Sequence, residues 1–191
     1  MLCDSSLQRI GIVGGTFNPP HLGHLAIAKA ALASSLIDIV WFLPCWQHAF
    51  GKDPSAFHHR ASMCFLMVKD EPNIYVCTAE FEIKSKYSIK ILEHIKKTNT
   101  DKVFRLILGT DNYWKMDKWK EKDKIIRLAP PIWVRRPKIK EIPESTIECD
   151  FNISSSEIRE LIKNPRINNN WQYIHDKVLD YIKVNNLYRS A

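Results

Sequence analysis

Two histidines, His21 and His24, close the stretch GGTFNPPHLGH, residues 14 to 24. Imidazole N–H groups are donors that can be aimed at oxygens carrying negative charge. The apolar run Ile10 to Val13 reads as a strand, and Gly14 and Gly15 permit backbone angles that other residues avoid. Pro19 and Pro20 then stiffen the approach to a helix opening near Gly23. Three of the chain's 6 glycines fall in this one stretch. A helix N-terminus presents unpaired N–H groups and a partial positive charge, so the turn reads as a seat for phosphate. Neither a GxGxxG fingerprint nor a GxxxxGK[ST] loop is present. A zinc site would add Cys45 and His48, also three apart, but neither segment has the context of a zinc ribbon. A structural histidine remains open for either residue taken alone.

A second stretch, ISSSEIR from Ile153 to Arg159, has the form of a helix start, with Ser154 as N-cap and Glu157 as capping-box partner. Ser154, Ser155 and Ser156 also offer hydroxyls and backbone N–H groups there, and Arg159 adds a forked cation one turn on.

The elements that must position these residues alternate along the chain. Strands are expected at 10–13, 37–43, 73–78, 103–108 and 131–134. Helices are expected at 22–34, 56–69, 88–97, 117–128 and 154–163, with an amphipathic closing segment at 171–185. Strands separated by helices imply right-handed crossovers and a parallel sheet covered on both faces. The fold class is therefore α/β, a doubly wound parallel sheet of Rossmann-like form, with ligands at the carboxyl ends of the strands. Both the histidine turn and the segment LGTDNYW lie just past such ends. At 191 residues the chain reads as one domain, 1–191, whose helical C-terminal part, about 152–191, carries ISSSEIR.

Twenty-eight basic and 21 acidic residues leave a net charge of +7, compatible with polyanionic ligands. The basic residues are interleaved with acids and form no compact arginine patch with aromatic neighbours, so no nucleic-acid partner is expected. No run approaches a membrane span and no signal peptide opens the chain, which makes the cytoplasm the expected location. The 5 cysteines lack a CxxC pair, as free thiols in a reducing compartment would.

Residues 14 to 24 resemble the signature G-[GS]-[TS]-F-[DN]-P-x-H-x-G-H of the nucleotidylyltransferases, with Asn18 where many bacterial members have Asp. ISSSEIR resembles the second signature, ISS[ST]xIR, of their adenylyltransferase branch. The resemblance implies that Gly14, Gly15, Thr16, Phe17, His21 and His24, with Ser154, Ser155, Ser156 and Arg159, bind ATP. His21, His24 and Arg159 are then the catalytic set. The middle of the chain resembles the nicotinate (nicotinamide) mononucleotide adenylyltransferases. YSIKIL (Tyr87 to Leu92) is similar to their YTIDTL, and LILGTDNYWKMDKW (Leu106 to Trp119) to FIIGADxLxxLxxW. WVRRP (Trp133 to Pro137) is similar to VVxRP, and VLDYIKVNNLY to VxxYIxxxxLY. This implies mononucleotide contacts at Asn18, Tyr87, Ser88, Gly109, Asp111, Trp119 and Arg136, with Trp119 stacked on the pyridine ring. Where many members carry PPHK this chain has PCWQHAFGKD, in which Lys52, alone or with His48, stands in for the phosphate-contacting lysine.

The implied reaction joins ATP and nicotinic acid mononucleotide to give deamido-NAD and pyrophosphate. Magnesium would bridge phosphates, so no protein metal-ligand set is expected. Nicotinamide mononucleotide as acceptor, a pantetheine-phosphate adenylyltransferase, and a regulatory nucleotide- or RNA-binding protein are the alternatives. The oligomeric state is left open, and a homo-oligomer is compatible with the chain.

Overall fold

The structure, a computed structural model, describes residues 7–47, 55–135, 146–149, 151, 153–164 and 170–189. Six strands form one sheet: β1 (Gln8–Gly15), β2 (Ile39–Pro44), β3 (Ile74–Val76), β4 (Lys102–Gly109), β5 (Pro131–Val134) and β6 (Thr146–Ile147). The order across it is β3-β2-β1-β4-β5-β6, and every neighbouring pair is parallel. The helices are α1 (Leu22–Ala33), α2 (Phe57–Val68), α3 (Ala79–Ile83), α4 (Ser88–Thr98), α5 (Lys122–Leu128), α6 (Ser155–Lys163) and α7 (Asp176–Val184).

Side chains alternate across the strands, so each buried strand feeds two cores. Ile10 and Ile12 of β1 pack with Ile89, Leu92, Phe104 and Leu106 on the α4–α5 face. Val13 turns the other way, into a core with Ala28, Phe42, Met63, Ile107, Ile158 and Val178 beneath α1, α2, α6 and α7. The helical C-terminal part thus shares its core with the sheet. Gly11 faces this second core because Ile37 and Ile107 leave no room for a Cβ.

The chain leaves β1 for β2 on one side and later returns to β4 on the other. The carboxyl ends of β1 and β4 therefore flank a topological switch point, the crevice where open α/β sheets bind ligands.

The observed elements depart from expectation in four places. Gly14 and Gly15 do not turn the chain: they extend β1, paired with Leu43 and Pro44, and the left-handed residue is Phe17 at φ 49°. The expected helix at 117–128 divides into a 3-10 turn, Met116–Lys118, and α5, separated at Glu121 with φ 56°. The closing segment likewise divides, at His175, whose ring caps α7 by accepting the Lys177 N–H at 3.2 Å. α3 and β6 carry too few residues for a periodicity to announce them. The strand expected at 131–134 is found with those bounds. Lys52, His48 and Arg136 lie outside the described residues.

Candidate active site

The histidine turn is built by close approach. His21 is extended and caps α1, and its own N–H donates to His24 Nδ1 at 3.2 Å. The two rings meet with centroids 3.8 Å apart. A Cβ on Gly23 would lie 2.8 Å from Phe151 and 2.9 Å from His21 Nδ1, so only glycine lets the His21 ring and Phe151 crowd this helix start. Phe17 is 1% exposed and packs against Phe42 (5.1 Å) and His24 (4.7 Å). Its side chain is thus a floor under His24, not a surface for ligand. Gly14 has nothing within 4 Å of where a Cβ would stand, which leaves the rim of β1 open.

ISSSEIR is joined directly to this turn. Ser154 caps α6, and its N–H donates to Glu157 Oε2 at 2.8 Å while its hydroxyl accepts the Glu157 N–H at 3.2 Å. The Ser155 hydroxyl donates to the Pro19 carbonyl at 2.8 Å, and Arg159 Nη1 donates to the Asn18 carbonyl at 2.7 Å. Arg159 Nη2 also donates to the Ser156 hydroxyl at 3.1 Å. Stretches about 140 positions apart are therefore one unit, with the start of α6 set beside the approach to α1. The Asn18 side chain is held from behind: its Oδ1 accepts from Tyr188 Oη at 2.8 Å and from the Ser55 N–H at 3.3 Å. Burial pushes the Tyr188 hydroxyl up to about 12, so it stays a donor.

Arg60, 1% exposed on α2, is the centre of a bracket of carbonyls. It donates to Thr16 (2.9 Å), Cys45 (2.8 Å), Ser55 (2.8 Å) and Trp46 (3.3 Å). The Trp46 N–H donates in turn to Glu80 on α3 at 2.8 Å. Burial raises the Glu80 carboxyl from 4.5 to about 7, against the opposing pull of Trp46 and Arg60. The ends of β1 and β2 and the residues flanking 48–54 are thereby tied together. Glu80 carried no signal, since a lone residue far from either motif has no spacing to read, whereas Tyr188 closes the VLDYIKVNNLY segment, which marks the position without naming its partner.

The second half of the site lies past β4. Gly109 ends the strand, and Asp111 sits in the turn Thr110–Asn112, paired with Lys115 at 3.2 Å. Tyr87, Ser88 and Trp119 line one cavity of about 350 Å³, together with Asn112. That volume is in the range of small-ligand sites. Tyr87 is the N-cap of α4 and Ser88 its first residue. Trp119 is half-buried and extended, just after the turn Met116–Lys118, and so presents its ring from a loop. The structure thus gathers Tyr87, Ser88 and Trp119 in one cavity, and joins Asn18, Ser155 and Arg159 at the histidine turn.

A cluster of imidazole, guanidinium and backbone N–H donors at the β1 switch point, with an aromatic pocket past β4, suits a nucleotidyl-transferring enzyme. Residues 12–161 match the family described as cytidylyltransferase-like. The nicotinate-nucleotide adenylyltransferase of Bacillus subtilis (strain 168) is 31% identical over 191 residues, covering 96% of this chain and 100% of that one. The Plasmodium falciparum nicotinic acid mononucleotide adenylyltransferase complexed with NaAD superposes with a TM-score of 0.81 at 25% identity, over 95% of this chain and 97% of that one. The same enzyme complexed with APC gives a TM-score of 0.79. This chain belongs to the cytidylyltransferase-like family and, within it, to the nicotinate-nucleotide adenylyltransferases.

Proposed function

We propose that this enzyme transfers the adenylyl group of ATP to nicotinic acid mononucleotide, releasing pyrophosphate and forming deamido-NAD for NAD biosynthesis. The observation that carries the reading is the pair of crowded rings, His21 and His24, at the start of α1 beside the β1–β4 crevice. The 5′-phosphate oxygen of the mononucleotide attacks the α-phosphorus of ATP in line. A new P–O bond forms as the bond from the α-phosphorus to the oxygen bridging the β-phosphate breaks, and pyrophosphate leaves with that electron pair. Charge grows on the equatorial and leaving oxygens, and His21 and His24 would donate to them.

Arg159 and the backbone N–H groups at the start of α6 would receive the distal phosphates. Two of the serine hydroxyls are already engaged, Ser154 in the cap and Ser155 on Pro19, so their part is to set the helix rather than to donate outward. Lys52 would supply a further cation to the triphosphate. No covalent intermediate is needed, because holding both phosphates in line supplies much of the rate.

In the acceptor cavity Trp119 and Tyr87 would face the pyridinium ring, with Ser88 at its substituent and Asp111 at the ribose. The donor set at the histidine turn is imidazole N–H and backbone amide, which suits phosphate oxygens, so magnesium would be carried by ATP and not by a protein cage. Bound there, it neutralises charge on the departing pyrophosphate. A pantetheine-phosphate acceptor has no use for an aromatic pocket fit for a flat cation.

The test is pyrophosphate release from ATP with nicotinic acid mononucleotide, nicotinamide mononucleotide and pantetheine phosphate in parallel. Release with the first is expected. Release with pantetheine phosphate alone would replace this reading, and release with none would return the chain to a binding role.

A further inference from the structure

The acceptor cavity is more cationic than its task of holding a flat cation explains. Four lysines line it: Lys86, Lys115, Lys118 and Lys120. Lys115 is paired with Asp111. The other three have no carboxylate within ion-pair distance among the described residues, whereas nearby Lys122 has Asp117 and Lys124 has Glu93. Lys120 and Lys86 are both held at the ring of Tyr87, with ammonium nitrogens 4.9 and 5.5 Å from its centroid. Two like charges sharing one ring lie within about a Debye length of each other at physiological salt, so they repel and favour an anion between them.

Resting on the adenylyltransferase reading, we infer that Lys86, Lys118 and Lys120 select the pyridine-3-carboxylate form of the mononucleotide over the 3-carboxamide form. The two acceptors share a pyridinium ring and a 5′-phosphate. They differ by one negative charge on the ring substituent. Seated among three unpaired ammoniums, the amide leaves a net cation where repulsion is strongest. The acid presents a ring that is neutral overall and a carboxylate that the lysines attract. Trp119 supplies a ring face to both and Ser88 a hydroxyl to both, so those two side chains do not discriminate. The lysines do.

Each exposed ion pair of this kind changes binding by about 1.4- to fivefold. The triple variant K86Q/K118Q/K120Q should therefore lower the ratio of kcat/KM for the acid to kcat/KM for the amide by about tenfold or more, and K86R/K118R/K120R should keep it. All three side chains are exposed, so the Gln variant should fold, which circular dichroism checks. Raising ionic strength should lower the ratio in the parent and leave it flat in the Gln variant. An unchanged ratio in the Gln variant, or an equal loss with both acceptors as expected of lysines that hold only the shared phosphate, would overturn the inference while the adenylyltransferase reading stands. Pyrophosphate release with neither acceptor in the parent would overturn both.

Discussion

At the scale of the residue, His24 is fixed on three sides: Phe17 below, His21 beside it, and the His21 N–H on its Nδ1. That last bond makes Nδ1 an acceptor and leaves Nε2 as the nitrogen that carries a proton toward a ligand. A donor pre-aimed at developing charge is worth about 10²–10³ in rate. His24→Ala should therefore lower kcat by about that factor, with the melting temperature close to the parent's because the ring is only half-buried. Steady-state pyrophosphate release and a thermal melt measure the two together. Near-normal turnover would remove His24 from the chemistry and leave it a packing residue. The motif letters are legible as chemistry, yet the reason for Gly23 is not: the clash involves Phe151, a residue outside the motif.

At the scale of the element, what holds the site together is a set of ties between loop ends. Arg60 on α2 reaches four carbonyls, and α3 contributes Glu80 to the Trp46 N–H. The Glu80 carboxyl titrates near 7 when folded and near 4.5 when unfolded. Below about 4.5 both states hold the proton. Between 4.5 and 7 the folded state alone keeps it, so stability falls as pH rises, and above 7 about 3 kcal/mol has been lost. Glu80→Gln keeps an acceptor for Trp46 and removes the titration. The variant should match the parent at pH 4 and exceed it by up to about 3 kcal/mol at pH 8, read from denaturant melts at both pH values. A gap independent of pH would mean that Glu80 does not titrate in this range. Long elements such as α1, α2, α4 and β4 announced themselves through sustained apolar patterning, to within a few residues of their bounds. Short pieces did not: α3, β6 and the break at Glu121 are set by tertiary contacts and single left-handed residues.

At the scale of the whole molecule, the sheet order puts the two half-sites on adjacent strands: the histidine turn after β1 and the aromatic cavity after β4. α6 and α7 pack in the core with Val13 and Phe42, and the first half-site is reached by Arg159 of α6 and by Tyr188 just past α7. Among the described residues no helix is long and apolar enough to cross a membrane. The alternation of strands and helices made the parallel, doubly wound sheet readable, but not its strand order or its sixth strand. The tie from Ser155 to Pro19 was not readable, since nothing in either segment names its partner. Two half-sites built from different elements should be separable by mutation. Trp119 lines the second one only; half-buried, it also packs against the core on the α4–α5 face, so a thermal melt must first show the truncated variant folded. Stacking a pyridinium on indole is worth about 0.5–2 kcal/mol, depending on how dry the contact is. Trp119→Ala should thus weaken nicotinic acid mononucleotide binding by several-fold or more and leave ATP affinity close to the parent's. Calorimetric titration of the folded variant with each ligand separately makes the measurement. Unchanged mononucleotide affinity would take the ring off Trp119, and a parallel loss of ATP affinity would show that the two half-sites are coupled through the crevice between β1 and β4.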